Sequence, residues 1–215
     1  RPDVLFASDN NLIGWFSNKG NGSFDNTLNT ISTNTGYALA AGDLDHDGDL
    51  DVVSFARNGG NFTIHINDGQ GVFTDIGPKD SGVDAPVSIH LIHLNADANL
   101  DLLIGSNDDG VVWFKGDGKG DIPISAALAN TIVKGSRVSS TWFADIDGDG
   151  DQDVLAALAR EDAVVWYENN GSGGGWKMTM VSDEVDNPKS VHAGDMDGDG
   201  DVDVLSASYN DDTIA

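Results

Sequence analysis

Closely spaced aspartates are the most chemically distinctive feature of this sequence. Five of them occupy alternate positions of a nine-residue segment, which occurs three times, at 43–51, 145–153 and 195–203. Carboxylates at this density repel one another unless a cation lies among them, and Ca²⁺ takes six to eight oxygen ligands at about 2.3–2.6 Å. We therefore predict one Ca²⁺ site in each segment. The predicted ligand residues are Asp43, Asp45, Asp47, Asp49, Asp51, Asp145, Asp147, Asp149, Asp151, Asp153, Asp195, Asp197, Asp199, Asp201 and Asp203.

The glycines of these segments suit a loop that wraps around an ion. Gly48, Gly150 and Gly200 all occupy the sixth position, where such a loop turns sharply and a residue without a Cβ is favoured. Side chains at positions one, three, five and nine can then converge on one ion, with a backbone carbonyl at position seven. Because the placement of Asp and Gly recurs three times, a merely solvated acidic loop is the weaker interpretation.

The segments differ from an EF-hand, which requires a bidentate Glu at position twelve and a helix on each side. Position twelve is Ser54, Ala156 or Ser206 here, and a short run that begins with β-branched residues follows each segment. This pattern predicts that the loop leads into a β-strand. The predicted metal loop therefore joins two strands.

A fourth segment, 93–101, keeps the length of the loop but not its chemistry. His93 and Asn95 replace the first two aspartates, and Ala98 occupies the position of the turning glycine. Only Asp97 and Asp101 keep the carboxylate pattern. We expect no tight Ca²⁺ site there, and we expect backbone carbonyls and Asn95 to hold this loop through hydrogen bonds.

The composition limits the partners and the compartment. A formal net charge of −25 argues against nucleic acid and against an anionic membrane surface. No apolar run is long enough for membrane insertion. The 215 residues include no cysteine, so disulfides cannot stabilise the chain, whereas millimolar Ca²⁺ outside cells would fill sites of modest affinity. These features predict a secreted protein, extracellular or at the cell surface.

The closing aspartates of the loops recur with a period of about fifty residues. Asp3, Asp51, Asp101, Asp153 and Asp203 are 48, 50, 52 and 50 residues apart. Periods of about 40–50 residues that contain four short strands are typical of β-propeller blades. With 27 glycines, many Asn-Gly and Asp-Gly turns and no sustained helical period, the chain is predicted to be all-β.

The loop pattern D-x-D-x-D-G-D-x-D-V-L, an aromatic W-[FY] strand and an N-x-G-x-G turn recur in phase along essentially the whole chain. This combination resembles the FG-GAP/VCBS repeats of integrin-α-like β-propellers. The resemblance implies four-stranded blades in which the Ca²⁺ loop joins the innermost strand to the second. It implies one propeller segment, 1–215, with blades at 37–80, 86–134 and 137–182 and partial blades at 1–34 and 188–215. Because seven blades are usual in the family, we expect this segment to belong to a larger ring or assembly.

The predicted function is that of a Ca²⁺-stabilised extracellular propeller that acts as a binding, adhesion or structural module for a protein or glycan ligand. One alternative is a subunit of an extracellular fibre, in which incomplete terminal blades complete one another head to tail. Another is a carbohydrate-binding lectin, since some propellers of the resembling family bind sugars between blades. No catalytic residue is predicted, because G-x-S-x-G, H-E-x-x-H and cysteine nucleophiles are all absent.

The tryptophans fall into two groups. Trp15, Trp113 and Trp166 share one position of the repeat, and regular recurrence favours packing between blades over stacking on a sugar. Trp142 and Trp176 lie outside that pattern. We expect these two to be the better candidates for exposed ligand contact.

Histidines and asparagines supply weaker signals. His90 and His192 share a position on the predicted inner strand, where packing or solvation is the simpler interpretation and a transition-metal site is the alternative. Asn21, Asn61 and Asn170 begin Asn-x-Ser/Thr sequons, which are possible glycosylation sites in a secreted protein. Two of these sequons coincide with turns that favour Asn-Gly anyway.

Overall fold

The computed structural model describes residues 2–8, 10–34, 36–56, 60–124 and 130–215, and every regular element in these ranges is a β-strand. The all-β prediction is therefore confirmed. Within the described residues, no helix has the length and apolar character needed to cross a membrane. The strands are β1 (Val4–Ala7), β2 (Ile13–Phe16), β3 (Asn29–Ser32), β4 (Ala38–Gly42), β5 (Asp51–Phe55), β6 (Asn61–Asn67), β7 (Phe73–Asp80), β8 (Pro86–Ile92), β9 (Asp101–Ser106), β10 (Gly110–Phe114), β11 (Asn130–Lys134), β12 (Val138–Ala144), β13 (Asp153–Leu158), β14 (Ala163–Glu168), β15 (Lys177–Ser182), β16 (Pro188–Gly194) and β17 (Asp203–Ser208).

These strands form five antiparallel sheets in which neighbouring strands are consecutive in the chain. The first sheet contains β1–β3, the second β4–β7, the third β8–β11, the fourth β12–β15 and the fifth β16–β17. Gly69 and Gly71, in the turn between β6 and β7, have φ values of 73° and 79°, which residues with a Cβ rarely adopt. The glycine-rich turns thus allow tight up-and-down connections.

The two faces of the third and fourth sheets pack against different neighbouring sheets, because side chains alternate along a strand. In β5, Val53 and Phe55 join Leu102 and Ile104 of β9 in one hydrophobic cluster between the second and third sheets. Similar clusters join the third sheet to the fourth and the fourth to the fifth. The core therefore lies between consecutive sheets.

The first strands of the second to fifth sheets lie side by side in chain order, with β4 packed against β8. Between β8 and β12, Ser88 Oγ lies 2.7 Å from Thr141 Oγ1. Between β12 and β16, the Ser139 hydroxyl donates to the Pro188 carbonyl oxygen at 2.5 Å. Consecutive sheets are thus joined along these strands as well as through their apolar faces.

Candidate metal centres

Four loops, each joining the first strand of a sheet to the second, lie next to one another at one end of the sheets. The acidic loops 43–51, 145–153 and 195–203 join β4 to β5, β12 to β13 and β16 to β17, and the loop 93–101 joins β8 to β9. His46 Nε2 lies 3.1 Å from Asn99 Oδ1 of the neighbouring loop. Asn169, beyond β14, donates from Nδ2 to the Leu94 carbonyl oxygen at 3.1 Å. The second, third and fourth sheets therefore place their loops in contact with one another.

In the second, third and fourth sheets, the aspartate that closes the loop fastens it to the third strand of the same sheet. Asp153 is fully buried, and its Oδ2 accepts the Ile146 N–H at 3.1 Å while its Oδ1 accepts the Asn169 N–H at 2.8 Å. Asp51 and Asp101 are equally buried and accept the two equivalent bonds. Burial raises the pKa of these three carboxyls, and the backbone N–H groups offset part of that rise. The aspartate at position nine therefore accepts hydrogen bonds from two backbone N–H groups, in addition to its predicted role as a Ca²⁺ ligand.

Three carboxylates converge in each acidic loop. One ligand oxygen from each of Asp145, Asp147 and Asp149 lies within 4.8 Å of the others. The corresponding groups are Asp43, Asp45 and Asp51 in one loop and Asp195, Asp197 and Asp199 in the other. Oxygens bound to one Ca²⁺ lie at most about 5 Å apart, twice the bond length, so each group fits a single ion. Among the described residues, the predicted ligands outside these groups are Asp47, Asp49, Asp151, Asp153, Asp201 and Asp203.

Hydrogen bonds within each loop orient its side chains. In the loop 145–153, the Asp149 N–H donates to Asp147 Oδ1 at 3.2 Å and the Asp151 N–H donates to Asp149 Oδ1 at 2.9 Å. The Gly150 N–H donates to Asp145 Oδ2 at 3.1 Å. All three bonds recur in the loops 43–51 and 195–203. Backbone N–H groups thus orient the carboxylates in the same way in all three acidic loops.

Two carboxylate oxygens in these loops are buried without a hydrogen-bond partner in the described structure. They are Asp43 Oδ1 and Asp145 Oδ1, and the Oδ2 atom of each residue accepts a bond from a glycine N–H. In the loop 93–101, Asp97 Oδ2 is likewise buried without a hydrogen-bond donor among the described residues, but the Lys115 ammonium lies 2.7 Å from it. A buried carboxylate oxygen without a donor or cation is energetically costly. An ion among the three converging carboxylates would supply the missing charge. The residues present therefore fit Ca²⁺.

The loop 93–101 follows a different backbone path. In the loop 43–51, positions four and six are left-handed, with φ of 64° at His46 and 94° at Gly48. The same positions in the other acidic loops are Gly148 and Gly150 (75° and 97°) and Gly198 and Gly200 (83° and 97°). Ala96 and Ala98 are not among the described residues with positive φ. Sequence reasoning identified position six but missed position four, because a histidine there conceals the preference for glycine.

The recurring tryptophans lie between sheets, as the repeat pattern predicted. Trp113 is only 4% exposed and belongs to the cluster between the third and fourth sheets. A Cβ on Gly173, in the next sheet, would lie 2.6 Å from its ring, so this turn requires glycine. Trp142 and Trp176, which we expected to be the better candidates for exposed ligand contact, are half-buried and pack against hydrophobic clusters. Trp142 lies on β12, and Trp176 directly precedes β15.

His90 and His192 flank Trp142 instead of sharing a site. The Trp142 ring stacks on His192 with centroids 3.9 Å apart and meets the His90 ring edge-on at 5.8 Å. His90 Nε2 lies 3.0 Å from the Thr141 carbonyl oxygen, and burial lowers the pKa of His90. The two imidazoles are therefore separated by an indole, which favours the packing interpretation over a shared transition-metal site.

A buried polar chain that the sequence did not indicate crosses the second sheet. His65 Nε2 lies 2.8 Å from Ser54 Oγ, and His65 Nδ1 lies 2.6 Å from Asp75 Oδ1. The connectivity is that of a serine nucleophile, a base and an orienting carboxylate. Ser54 and His65 have no exposed surface, however, so a substrate cannot reach the hydroxyl in this conformation. We interpret the chain as structural.

The three sequons lie in different environments. Asn21 and Asn170 are exposed, and the Oδ1 of each accepts a hydroxyl bond at 2.5 Å, from Ser23 and Ser172 respectively. Asn61 begins β6 and is half-buried. The two turn sequons are thus the accessible ones.

A cleft of about 930 Å³ opens beside the loop 93–101, between the third and fourth sheets. Its polar and aromatic lining includes Asn95, Asp97, Trp113, Lys115, Asn130 and Ser172. The cleft therefore occupies the end of the sheets at which the other three loops concentrate their carboxylates.

A model of the FG-GAP-like repeat matches residues 1–54, 93–156 and 145–206, which together make up more than half of the chain. A search of curated proteins finds no match. Among solved structures, the chain is similar to the Tc holotoxin pore of Photorhabdus luminescens, with 15% identity and a TM-score of 0.55 over 99% of this chain. It is also similar to the biofilm matrix protein Bap1 of V. cholerae, with 21% identity and a TM-score of 0.51 over 95% of this chain. The matched regions span 11% of the toxin chain and 31% of the Bap1 chain.

Proposed function

The chain belongs to the FG-GAP-like repeat family, and on that premise we propose that it is a Ca²⁺-stabilised extracellular β-propeller segment that serves as a binding, adhesion or structural module. The observation that carries the proposal is the pair of buried, unpartnered oxygens on Asp43 and Asp145, each within a group of three converging carboxylates. Such oxygens are stabilised by a cation of the kind that binds oxygen ligands.

The ion would be held chiefly by the first, third and fifth positions of the loops 145–153 and 195–203, and by Asp43, Asp45 and Asp51 in the remaining loop. When bound, Ca²⁺ supplies positive charge where the backbone already holds the carboxylates together. Because Asp51 and Asp153 tie their loops to the third strands of the second and fourth sheets, fixing these two loops also stabilises the sheets. Binding to the native state alone contributes about 2.7 kcal/mol per site at a hundredfold excess over Kd.

An extracellular setting suits this chemistry. Ca²⁺ at millimolar concentration would keep sites of modest affinity filled, and a chain without cysteine gains no stability from disulfides. A similar fold occurs in the biofilm matrix protein Bap1, which supports an extracellular structural or adhesive role for this chain. The acidic surface disfavours nucleic acid and anionic lipid as partners.

A glycan ligand is the second candidate, and the cleft beside the loop 93–101 favours it. Amide groups of Asn95 and Asn130 and the Ser172 hydroxyl offer both donors and acceptors around an apolar wall formed by Trp113. Sugar hydroxyls require this mixture of donors and acceptors. We therefore propose this cleft, and not the half-buried Trp142 and Trp176, as the region that would contact a glycan.

Metal counting and thermal unfolding test the proposal together. Mass spectrometry of the native protein should find three Ca²⁺, and EDTA should lower the unfolding midpoint. An unchanged midpoint in EDTA would refute the Ca²⁺-stabilised module. For the glycan candidate, binding on a glycan array should be weakened in Asn130→Ala, an exposed residue of the cleft lining, and retained in Asn21→Ala, an exposed asparagine far along the chain from the cleft.

A further inference from the structure

The third sheet carries a lysine at the mouth of its altered loop. Lys115 follows β10, and its Nζ lies 2.7 Å from Asp97 Oδ2. Asp97 occupies position five of its loop. The residues at position five of the loops 145–153 and 195–203 are Asp149 and Asp199, which belong to the clusters of three converging carboxylates. The ammonium therefore reaches the carboxylate that would otherwise face an ion.

The other repeats have no cation at this position. In each of the first four sheets, one backbone N–H at the end of a strand or just beyond it donates to the closing aspartate. The residue directly before that N–H is Lys115 in the third sheet. In the first, second and fourth sheets it is Ser17, Ile66 and Glu168, respectively. Glu168 pairs instead with Lys177, whose Nζ lies 2.6 Å from Oε2. Among the four loops, within the described part of the chain, the loop 93–101 is thus the one with a carboxylate in direct contact with a lysine ammonium.

Further side-chain bonds replace those of the lost aspartates. Asn95 donates from Nδ2 to Asp101 Oδ2 at 2.7 Å, and His93 Nδ1 lies 2.9 Å from the Asn99 carbonyl oxygen. An ionised aspartate has no hydrogen to donate, so it could not form these bonds at position one or position three. The substitutions that remove metal ligands therefore also supply internal donors.

We propose that the Lys115 ammonium is the built-in cation of the loop 93–101, so that the third sheet keeps its loop closed without Ca²⁺ while the loops of its neighbours depend on the ion. The claim that Lys115 stabilises the loop 93–101 rests on its contact with Asp97. The claim that the neighbouring loops need Ca²⁺ rests on the proposed function.

The electrostatics agree with this assignment. The hydrogen bond and the charge of Asp97 raise the pKa of Lys115. Burial acts to raise the pKa of Asp97, but the bonds from Lys115 and from the Asn99 N–H outweigh it, and that pKa lies below its ordinary value. Both groups are therefore more strongly ionised together than apart.

Amide hydrogen exchange in the presence of EDTA tests the inference. The N–H groups to follow are those of Asp97 and Asn99, which bond side chains within the loop, and those of Asp47 and Asp49 in the loop 43–51. EDTA should accelerate exchange at Asp47 and Asp49 and leave Asp97 and Asn99 unchanged. Lys115→Met should then accelerate exchange at Asp97 and Asn99 by about three- to fivefold, the size expected for one ion pair.

Two variants complete the experiment. Lys115→Arg keeps the charge and should retain most of the protection. Lys177→Met removes a lysine pair of similar exposure and should leave the loop 93–101 unaffected. Unchanged exchange in Lys115→Met, or an equal acceleration in Lys177→Met, would overturn the inference. If EDTA affects no loop, the proposed Ca²⁺ function fails, and the comparison of Lys115→Met with Lys177→Met still decides the role of Lys115.

Discussion

The imidazole of His65 lies 2.6 Å from the carboxylate of Asp75, inside the face of the second sheet that is opposite the cluster shared with the third. Its other ring nitrogen contacts Ser54, so both nitrogens are engaged. In neighbouring repeats the equivalent residues are Phe16, Phe114 and Tyr167, which are aromatic and require no such chain. The polar chain therefore replaces apolar packing at this one position.

His65→Phe should destabilise the protein by about 1–3 kcal/mol, because the buried Ser54 hydroxyl loses a partner. Ser54→Ala combined with His65→Phe should recover most of that loss, since removing both partners of a buried pair costs much less than removing one. Urea unfolding followed by circular dichroism measures both variants. Equal destabilisation in the single and double variants would contradict this account of the chain.

Asp147→Asn should remove one Ca²⁺ and shrink the stabilisation that Ca²⁺ confers. Asp147 lies in a group of three carboxylates, and an amide offers a single neutral oxygen in place of the charge. The expected loss is about 2.7 kcal/mol of unfolding free energy at a hundredfold excess of ion over the wild-type Kd. Differential scanning calorimetry with and without EDTA measures it.

Asp68→Asn is the matched control for that experiment. Asp68 lies outside the loops, and its Oδ1 accepts the N–H groups of Gln70 and Val72, which an asparagine oxygen can also accept. Its response to EDTA should equal that of the wild type. An equal loss in both variants would show that net charge, not a bound ion, determines the response.

His90 should make stability depend on pH. Burial lowers the pKa of His90 in the folded state below its ordinary value of 6.5, so the unfolded chain takes up a proton first as the pH falls. The stability is therefore complete above pH 6.5 and declines below it, by at most about 1.4 kcal/mol per pH unit for one proton. The groups in contact with His90 are Thr141, which is neutral, and the rings of Trp142 and Phe143.

Unfolding free energies of the wild type and of His90→Gln, measured from pH 8 to pH 5 with saturating Ca²⁺, check this prediction. The difference between the two curves should be constant above about pH 7 and change steadily below pH 6.5. Parallel curves over the whole range would show that His90 does not contribute.

Restoring the altered loop should require several changes. His93→Asp with Ala98→Gly returns a carboxylate and the left-handed turn, and we expect a fourth Ca²⁺ that binds more weakly than the other three. Adding Lys115→Met should tighten that site, because the ammonium no longer competes for Asp97. Isothermal titration calorimetry gives the stoichiometry and the order of affinities. Tight binding to the wild-type loop 93–101 would contradict the prediction.

The sequence was sufficient for features that depend on local spacing. Alternating aspartates with a glycine at position six identified the loops, and the fifty-residue period indicated repeated β-sheets. It could not show that Asp51 and Asp153 bond backbone amides sixteen residues away, because that depends on the register between strands. The Asp97–Lys115 contact and the His65 chain likewise join residues on different elements, which spacing along one segment does not indicate.

The gathering of all four loops at one end of the sheets gives the molecule an electrical polarity. With three Ca²⁺ bound, six positive charges change the net charge from −25 to −19, so the loop end stays strongly anionic. Two copies that approach with these ends facing each other repel within about 8 Å at physiological salt, the distance over which exposed charges act. Encounters between copies, and with other acidic surfaces, are thereby steered toward the flanks or the opposite end, and raising the ionic strength weakens that steering.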